Sequence, residues 1–251
     1  MTKNSRITVA IILLSVGFLL CSVYSFRQYR SSAAQEQQYR VLQHELQTAD
    51  AIADDPAAII AYKKLTPSLP EIQLRIVQRQ WRSALSLIQS LQRIRYHGEL
   101  QNETGASSAR LKSHLTEMLD QCSTMLVDAA SLRADVLWQV YNASGSAKLM
   151  NAFLMLDDQQ SADKVQGVIR DALTDFKAAI EAADRAGISP LQRNIPRWNF
   201  ELLNGEQYIK KIEAARTDME KNQALKENLE TLIPEMGGYA PGEPIETKIK
   251  K

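Results

Sequence analysis

The stretch ITVAIILLSVGFLLCSVYSF, residues Ile7 to Phe26, decides the architecture of this chain. It contains twenty residues and no charged side chain. Lys3 and Arg6 precede it, and Arg27 and Arg30 follow it. Because a helix rises ~1.5 Å per residue, a helix of this length spans the ~30 Å hydrocarbon core of a bilayer. The sequence therefore predicts a single N-terminal transmembrane helix.

A cleaved signal peptide is the alternative interpretation of this segment. The apolar core of a signal peptide is usually ~7–15 residues long and ends at a small-residue cleavage site. Here the apolar run is longer and ends at Tyr24 and Phe26, which suit the aromatic belt of a membrane interface. An uncleaved anchor is therefore favoured, with the short N-terminus in the cytoplasm. This orientation predicts a bacterial inner-membrane protein whose helical domain lies in the periplasm.

The composition of the remaining chain favours an all-α fold. Glycine and proline are scarce, at 10 and 8 of 251 residues, and strong helix formers dominate. The formal net charge of +1 gives no overall field that would select nucleic acid. We predict four regions: a cytoplasmic head and transmembrane anchor over 1–30, a stalk helix over 31–53, a helical domain over 54–233, and an extended tail over 234–251.

Start and stop signals divide the stalk and the helical domain into separate helices. Asp54 at a cap position with Pro56 behind it is a typical helix start, and Ser107 or Ser108 can cap a later helix. Polar and small residues predict a loop over 98–108, a break at 142–145 and a turn at 157–160. The predicted helices cover 34–53, 56–65, 70–96, 109–142, 146–156, 162–186, 190–204 and 206–233.

Enzyme signatures are missing from the sequence. It contains no glycine-rich phosphate loop, no Gly-x-Ser-x-Gly elbow and no His-Glu-x-x-His zinc helix. The acidic pairs Asp54-Asp55 and Asp157-Asp158 favour helix capping over calcium binding, because neither pair has the further ligands of a calcium loop. We therefore predict no enzymatic activity, no cofactor, no metal site and no small-molecule substrate.

Two further features of the predicted helices are a lone cysteine and a row of arginines. Cys122 is the only cysteine outside the predicted membrane segment, and it fits the apolar series of its helix. This position favours a buried structural thiol over a nucleophile. The helix over 70–96 carries five arginines opposite its apolar stripe. A solvated face is the favoured interpretation, and a lipid-headgroup stripe is the alternative, for Arg75, Arg79, Arg82, Arg93 and Arg95.

The most distinctive local sequence is PRWNFELL over 196–203, which follows the helical run ALTDFKAAIEAA over 172–183. Ala172 and Ala179 allow close helix packing, and Phe176, Ile180 and Trp198 would fill the seam between two helical units. Over 130–205 the chain resembles membrane-anchored, tetratricopeptide-like accessory proteins encoded beside MoxR-type ATPases and von Willebrand A proteins, including those of methanol dehydrogenase maturation. Ordinary core packing of the aromatic residues is the alternative explanation.

These observations lead to the hypothesis of a binding function without catalysis. The chain is predicted to be a membrane-anchored helical scaffold that assembles or matures a partner complex in the cell envelope. A structural subunit of a secretion or pilus-type envelope machine is the alternative, and an enzyme with an unrecognised site is the third possibility. Arginine and aromatic residues are preferred interface anchors. The predicted contacts with a protein partner are Arg197, Trp198, Asn199, Glu201, Tyr239 and Ile245.

Overall fold

The computed structural model describes residues 24–25, 37, 40–65, 69–97, 101–205, 215 and 217–233. The side chains of 92–97 and 101–106 are not part of this description. Within these ranges every regular element is helical and no strand occurs. The predicted all-α class is therefore confirmed. The tail over 234–251 lies outside the described residues, and so does the predicted transmembrane segment apart from 24–25.

The chain divides into two compact units, Met1–Ala51 and Ile52–Lys251. The first unit contains helix α1, described over 40–50. The second unit contains seven further described helices and one short 3-10 helix at Ala129–Ser131. These helices are α2 (Asp55–Lys64), α3 (Pro70–His97), α4 (Gln101–Val127), α5 (Ala134–Asp157), α6 (Ala162–Arg185), α7 (Pro190–Asn204) and α8 (Asp218–Leu232).

Local capping signals set several of these helix ends. The Asp54 side chain accepts a hydrogen bond from the Ala57 amide at 3.0 Å, which satisfies a free donor at the start of α2. The Ser189 hydroxyl accepts from the Gln192 amide at 3.3 Å at the start of α7. Because such signals are local, the predicted bounds of α2, α3, α6 and α7 are confirmed to within one residue.

The predicted loop over 98–108 is wrong, because α4 begins at Gln101. Helices α3 and α4 pack against each other, and a helical hairpin needs only a short connection. The continuous helix predicted to Asn142 is also wrong. The chain leaves helical geometry at Asp128, whose φ is −115° and ψ is 46°, and Arg133 is extended before α5. Apolar spacing continues across this turn, so the spacing did not reveal it.

Two other predicted boundaries are corrected in the same way. The sequence Asn142-Ala143-Ser144-Gly145 does not break a helix but lies inside α5. Neighbouring helices bury this segment, and tertiary packing overrides its weak helix propensity. The single helix predicted over 206–233 is wrong as well. Thr217 is extended and caps α8 in a reciprocal capping box with Glu220, so the last helix begins at Asp218.

Helix α5 lies at the centre of the second unit. It packs against α3, α4, α6 and α8, and sixteen of its residues are buried. A helix with neighbours on all sides needs no separate polar face. The predicted apolar stripe of α3 contributes to the same core with five buried residues, Val77, Trp81, Ala84, Ile88 and Leu91.

The predicted solvated face of α3 needs one correction. Arg79 is buried rather than solvated, with 7% of its surface exposed. Its guanidinium donates to Asp55 at 2.9 Å, and Arg82 Nη1 lies 3.5 Å from the same carboxylate oxygen. Because α2 packs along this side of α3, the arginine ties the two helices together. A buried charge requires such a partner.

Gly145 allows the closest approach between α5 and α6. A Cβ atom at this position would lie 2.9 Å from Phe176 Cε1 and 3.1 Å from the carbonyl oxygen of Ala172. The second of these atoms is backbone and cannot move independently. At Gly167, within α6, an added Cβ would meet nothing within 4 Å. The two helical glycines are therefore a matched pair with opposite surroundings.

We expect Gly145→Ala to lower stability and Gly167→Ala to raise it. Alanine stabilises a helix interior by about 0.5–1 kcal/mol relative to glycine. At Gly167 this propensity gain is the only effect expected. At Gly145 overpacking opposes this gain and costs about 1–3 kcal/mol. Thermal unfolding of the two full-length variants, followed by circular dichroism in detergent, measures both effects. Equal shifts in Tm would contradict the close packing of α5 against α6.

Candidate partner-binding surface

A tight turn at Gly187 and a helix start at Ser189 and Pro190 place α7 beside α6. Gly187 has a positive φ of 62°, a conformation that glycine adopts without strain, and it reverses the chain after α6. Ser189 and Pro190 then start α7, which packs along α6. The buried residues of α7 are Ile195, Pro196, Asn199 and Leu203.

Two large apolar side chains of α7 are exposed on a face about 100° around the helix from its buried side. Leu191 is 44% exposed and Trp198 is 39% exposed. They are seven residues apart, so they lie on the same face of the helix, ~10.5 Å apart along its axis. Glu201, one turn beyond Trp198, is exposed as well. This exposed face, formed by Leu191, Trp198 and Glu201, is called the α7 surface below.

Arg197 and Phe200 of α7 make contacts with charged side chains of α6. Arg197 Nη2 donates to both carboxylate oxygens of Asp184, at 2.8 and 3.0 Å. Lys177 Nζ lies 5.6 Å from the centroid of the Phe200 ring, within the range of a cation–π contact. The Arg197 side chain is 45% exposed, so its ion pair adds little stability. Arg197 is therefore accessible, but Asp184 already compensates its charge.

Asn199 is not on the α7 surface. It is completely buried, and its Nδ2 donates to Oδ1 of Asn142 in α5 at 3.1 Å. The prediction that Asn199 contacts a partner is corrected by this burial. Arg197, Trp198 and Glu201 are exposed, and their contact with a partner stays a prediction. Tyr239 and Ile245 lie outside the described residues, and their role stays a prediction.

The residues predicted to fill a seam between two helical units are only partly buried as a set, and the seam itself stays a prediction. Ala172, Phe176 and Ala179 are fully buried on α6. Trp198, however, does not fill this seam, because 39% of its surface is exposed. The buried face of α7 is centred on Asn199 instead, one residue further along the helix.

A polar group in the interior was missed by the sequence analysis. Asp175 of α6 accepts a hydrogen bond from the Ser144 hydroxyl at 2.6 Å. Lys148 Nζ lies 2.6 Å from the same carboxylate oxygen. Ser144 and Lys148 are four residues apart and therefore share one face of α5. This spacing was the available signal, but the predicted break at 142–145 concealed it. The group joins α5 to α6 with every charge compensated.

Cys122 confirms its predicted burial. None of its surface is exposed, and it belongs to the apolar core. Burial raises the pKa of the thiol to about 12, and the nearby Asp175 carboxylate acts in the same direction. Because the thiolate is the nucleophilic form, this cysteine is inert at neutral pH.

Asp54 caps α2 and Asp55 pairs with arginines, whereas the second acidic pair, Asp157 and Asp158, binds lysines. Asp157 Oδ1 lies 2.9 Å from Lys226 of α8, and Asp158 accepts from Lys112 of α4 at 2.6 Å. Both ion pairs attach neighbouring helices to the C-terminal end of α5. Among the described residues, no three His, Cys, Asp or Glu side chains lie close enough together to hold a metal ion.

An open groove of about 510 Å³ lies along α4. Its described walls come from a single helix and carry hydroxyl, amide and carboxylate groups. No histidine or cysteine is among the described lining residues of the groove. The lining residues are Ser113, Thr116, Glu117, Asp120, Gln121 and Thr124.

In the described part of the chain, none of the helices combines the length and the apolar character that a bilayer crossing requires. Most of the predicted anchor over 7–26 lies outside the described residues. Comparison of the chain with models of known protein families, with curated proteins and with solved structures gave no match.

We expect Cys122 to resist thiol reagents in the folded protein. In a Cys21→Ser variant it is the only thiol, and at about pH 8 a pKa near 12 leaves roughly one molecule in 10⁴ as thiolate. Labelling with a chromogenic disulfide should therefore be at least about 100-fold slower in the folded protein than in urea. Fast and complete labelling without denaturant would contradict the burial of this side chain.

Proposed function

We propose that this chain is a membrane-anchored helical scaffold that binds a protein partner at the cell envelope through the α7 surface. The observation that carries this proposal is the exposure of Leu191 and Trp198 on one face of α7. Tryptophan is enriched among the residues that dominate binding energy at protein interfaces. A monomer gains nothing from leaving such a side chain in water.

The anchor is proposed from the uncharged sequence over 7–26. A twenty-residue apolar segment with basic flanks is typical of an uncleaved transmembrane helix. In the proposed orientation the helical domain lies in the periplasm of a bacterial cell. The tail over 234–251, with Tyr239 and Ile245, is proposed as a second contact with the same partner.

The interior chemistry favours a binding function over catalysis. Asp175 is compensated by Lys148, and the Cys122 thiol stays protonated. The reactive side-chain types of the core therefore take part in packing contacts. The resemblance over 130–205 to accessory proteins encoded beside MoxR-type ATPases supports assembly or maturation of a complex as the role of the scaffold.

We expect Trp198→Ala to abolish most partner binding. A photoreactive amino acid at Asn194, an exposed position between Leu191 and Trp198, captures the partner in intact membranes. Loss of a central tryptophan typically costs about 2 kcal/mol or more, which corresponds to a roughly 30-fold drop in affinity. The yield of the crosslinked adduct should fall accordingly, and Glu201→Lys should lower it as well.

The matched control is Val127→Ala at the end of α4. Val127 is 86% exposed and apolar, but it lies on another helix. This variant should leave the adduct unchanged. Retention of the adduct in Trp198→Ala, with loss in Val127→Ala, would contradict the proposed surface. A variant without 234–251 tests the tail in the same assay, and an adduct containing only this chain would favour the structural-subunit alternative.

A further inference from the structure

The rotation of α7 about its own axis is not the one that its apolar pattern favours. Leu191, Ile195, Trp198 and Leu202 follow a spacing of four, three and four residues, which forms a continuous apolar stripe. Burial of this stripe would be the ordinary arrangement for a surface helix. The structure instead buries Ile195, Pro196, Asn199 and Leu203 and leaves Leu191 and Trp198 exposed.

The difference corresponds to a turn of about 100°, the angle between successive residues of a helix. In the observed rotation Asn199 points into the core, and Trp198, the residue before it, points toward solvent. Ile195 is buried in the observed rotation and belongs to the apolar stripe as well. Ile195 therefore keeps an apolar contact in either rotation, whereas Pro196 and Leu203 are buried only in the observed one.

A buried polar contact also distinguishes the two rotations. Asn142 and Asn199 have no exposed surface, and the hydrogen bond between their amides is 3.1 Å long. Turning α7 by about 100° would break this hydrogen bond. The side-chain oxygen of Asn142 would then lie in the core without the Asn199 donor. A buried acceptor that loses its donor carries the full cost of its desolvation. A single buried asparagine is known to set helix register in this way.

The contacts on the outer edge of α7 are weaker. The Arg197–Asp184 pair is more than 40% exposed on both sides, so solvent screens it. The buried amide pair is therefore the stronger constraint on rotation.

We propose that Asn142 and Asn199 are positioning residues that hold α7 in the rotation presenting Trp198 to a partner. This inference rests on the proposed function for its biological meaning, but its structural part is tested without a partner. Removal of both amides should let α7 turn toward its apolar stripe and bury Trp198.

Tryptophan fluorescence reports this rotation directly. The chain has three tryptophans, and Trp81 and Trp138 are only 2% and 4% exposed. Iodide ions do not enter a protein core, so iodide quenching in the full-length protein in detergent measures the accessibility of Trp198. A Trp198→Phe variant gives the background from the two buried tryptophans.

The test variant is Asn142→Leu with Asn199→Leu, which replaces the amide pair by apolar side chains of similar size. We expect it to melt cooperatively and its iodide quenching constant to fall about twofold or more toward the Trp198→Phe background. The control is Ile195→Val, which weakens a contact common to both rotations. This control should lower Tm without changing the quenching constant.

Adding Leu191→Lys to the double variant provides a rescue. Leu191 is exposed in the observed rotation but would be buried after the turn, so a lysine there should restore wild-type quenching. If the double variant does not melt cooperatively, Asn199→Ala, which adds no volume, is measured in the same way.

A cooperatively folded variant with an unchanged or increased quenching constant would overturn the positioning role, because Trp198 would then keep its exposure without the amide pair. Photocrosslinking from Asn194 in the wild-type chain tests the proposed function separately. Failure of that experiment, with quenching as expected, would remove the partner but not the positioning role.

Discussion

Helix α5 is enclosed by α3, α4, α6 and α8, and several of its buried polar side chains meet a partner on a neighbouring helix. Ser144 and Lys148 meet Asp175 of α6, and Asn142 meets Asn199 of α7. Apolar side chains tolerate some sliding and repacking. Buried hydrogen bonds do not, because a shifted partner leaves an unpaired group in the core. The polar residues of α5 therefore fix the position and rotation of the helices around it.

The interior thus determines what the surface presents. The ion pairs on the outside of α7 are half exposed and contribute little to its orientation. The contact of α7 with α5 is buried, and it lies one residue away from Trp198 in the sequence. A helix with a well-formed apolar stripe consequently exposes two members of that stripe, Leu191 and Trp198. The buried contact of Asn199 with Asn142 thus accounts for the exposure of Trp198, the residue before it in the sequence.

Most of the helices could be predicted from sequence because their ends carry local signals. Asp54 accepts the capping hydrogen bond that its residue type and position predicted. The errors occurred where long-range packing decides. Apolar spacing runs through the turn after Val127, and the polar run beginning at Asn142 reads as a break until its partners on α6 and α7 are known. For the same reason Asn199 was mistaken for a surface residue.

Tethering explains how a small surface could suffice for the proposed scaffold. An anchor restricts the domain to the membrane plane, and confinement of two proteins to one membrane raises their effective concentration without any added contact. Leu191 and Trp198 then need to supply only a modest affinity for a membrane-bound partner. Selectivity for one partner would come from the rotation of α7 that places Trp198 beside Glu201 on the surface. In another rotation the same apolar area would no longer match the partner. In this account the buried asparagines contribute to recognition although they never contact the partner.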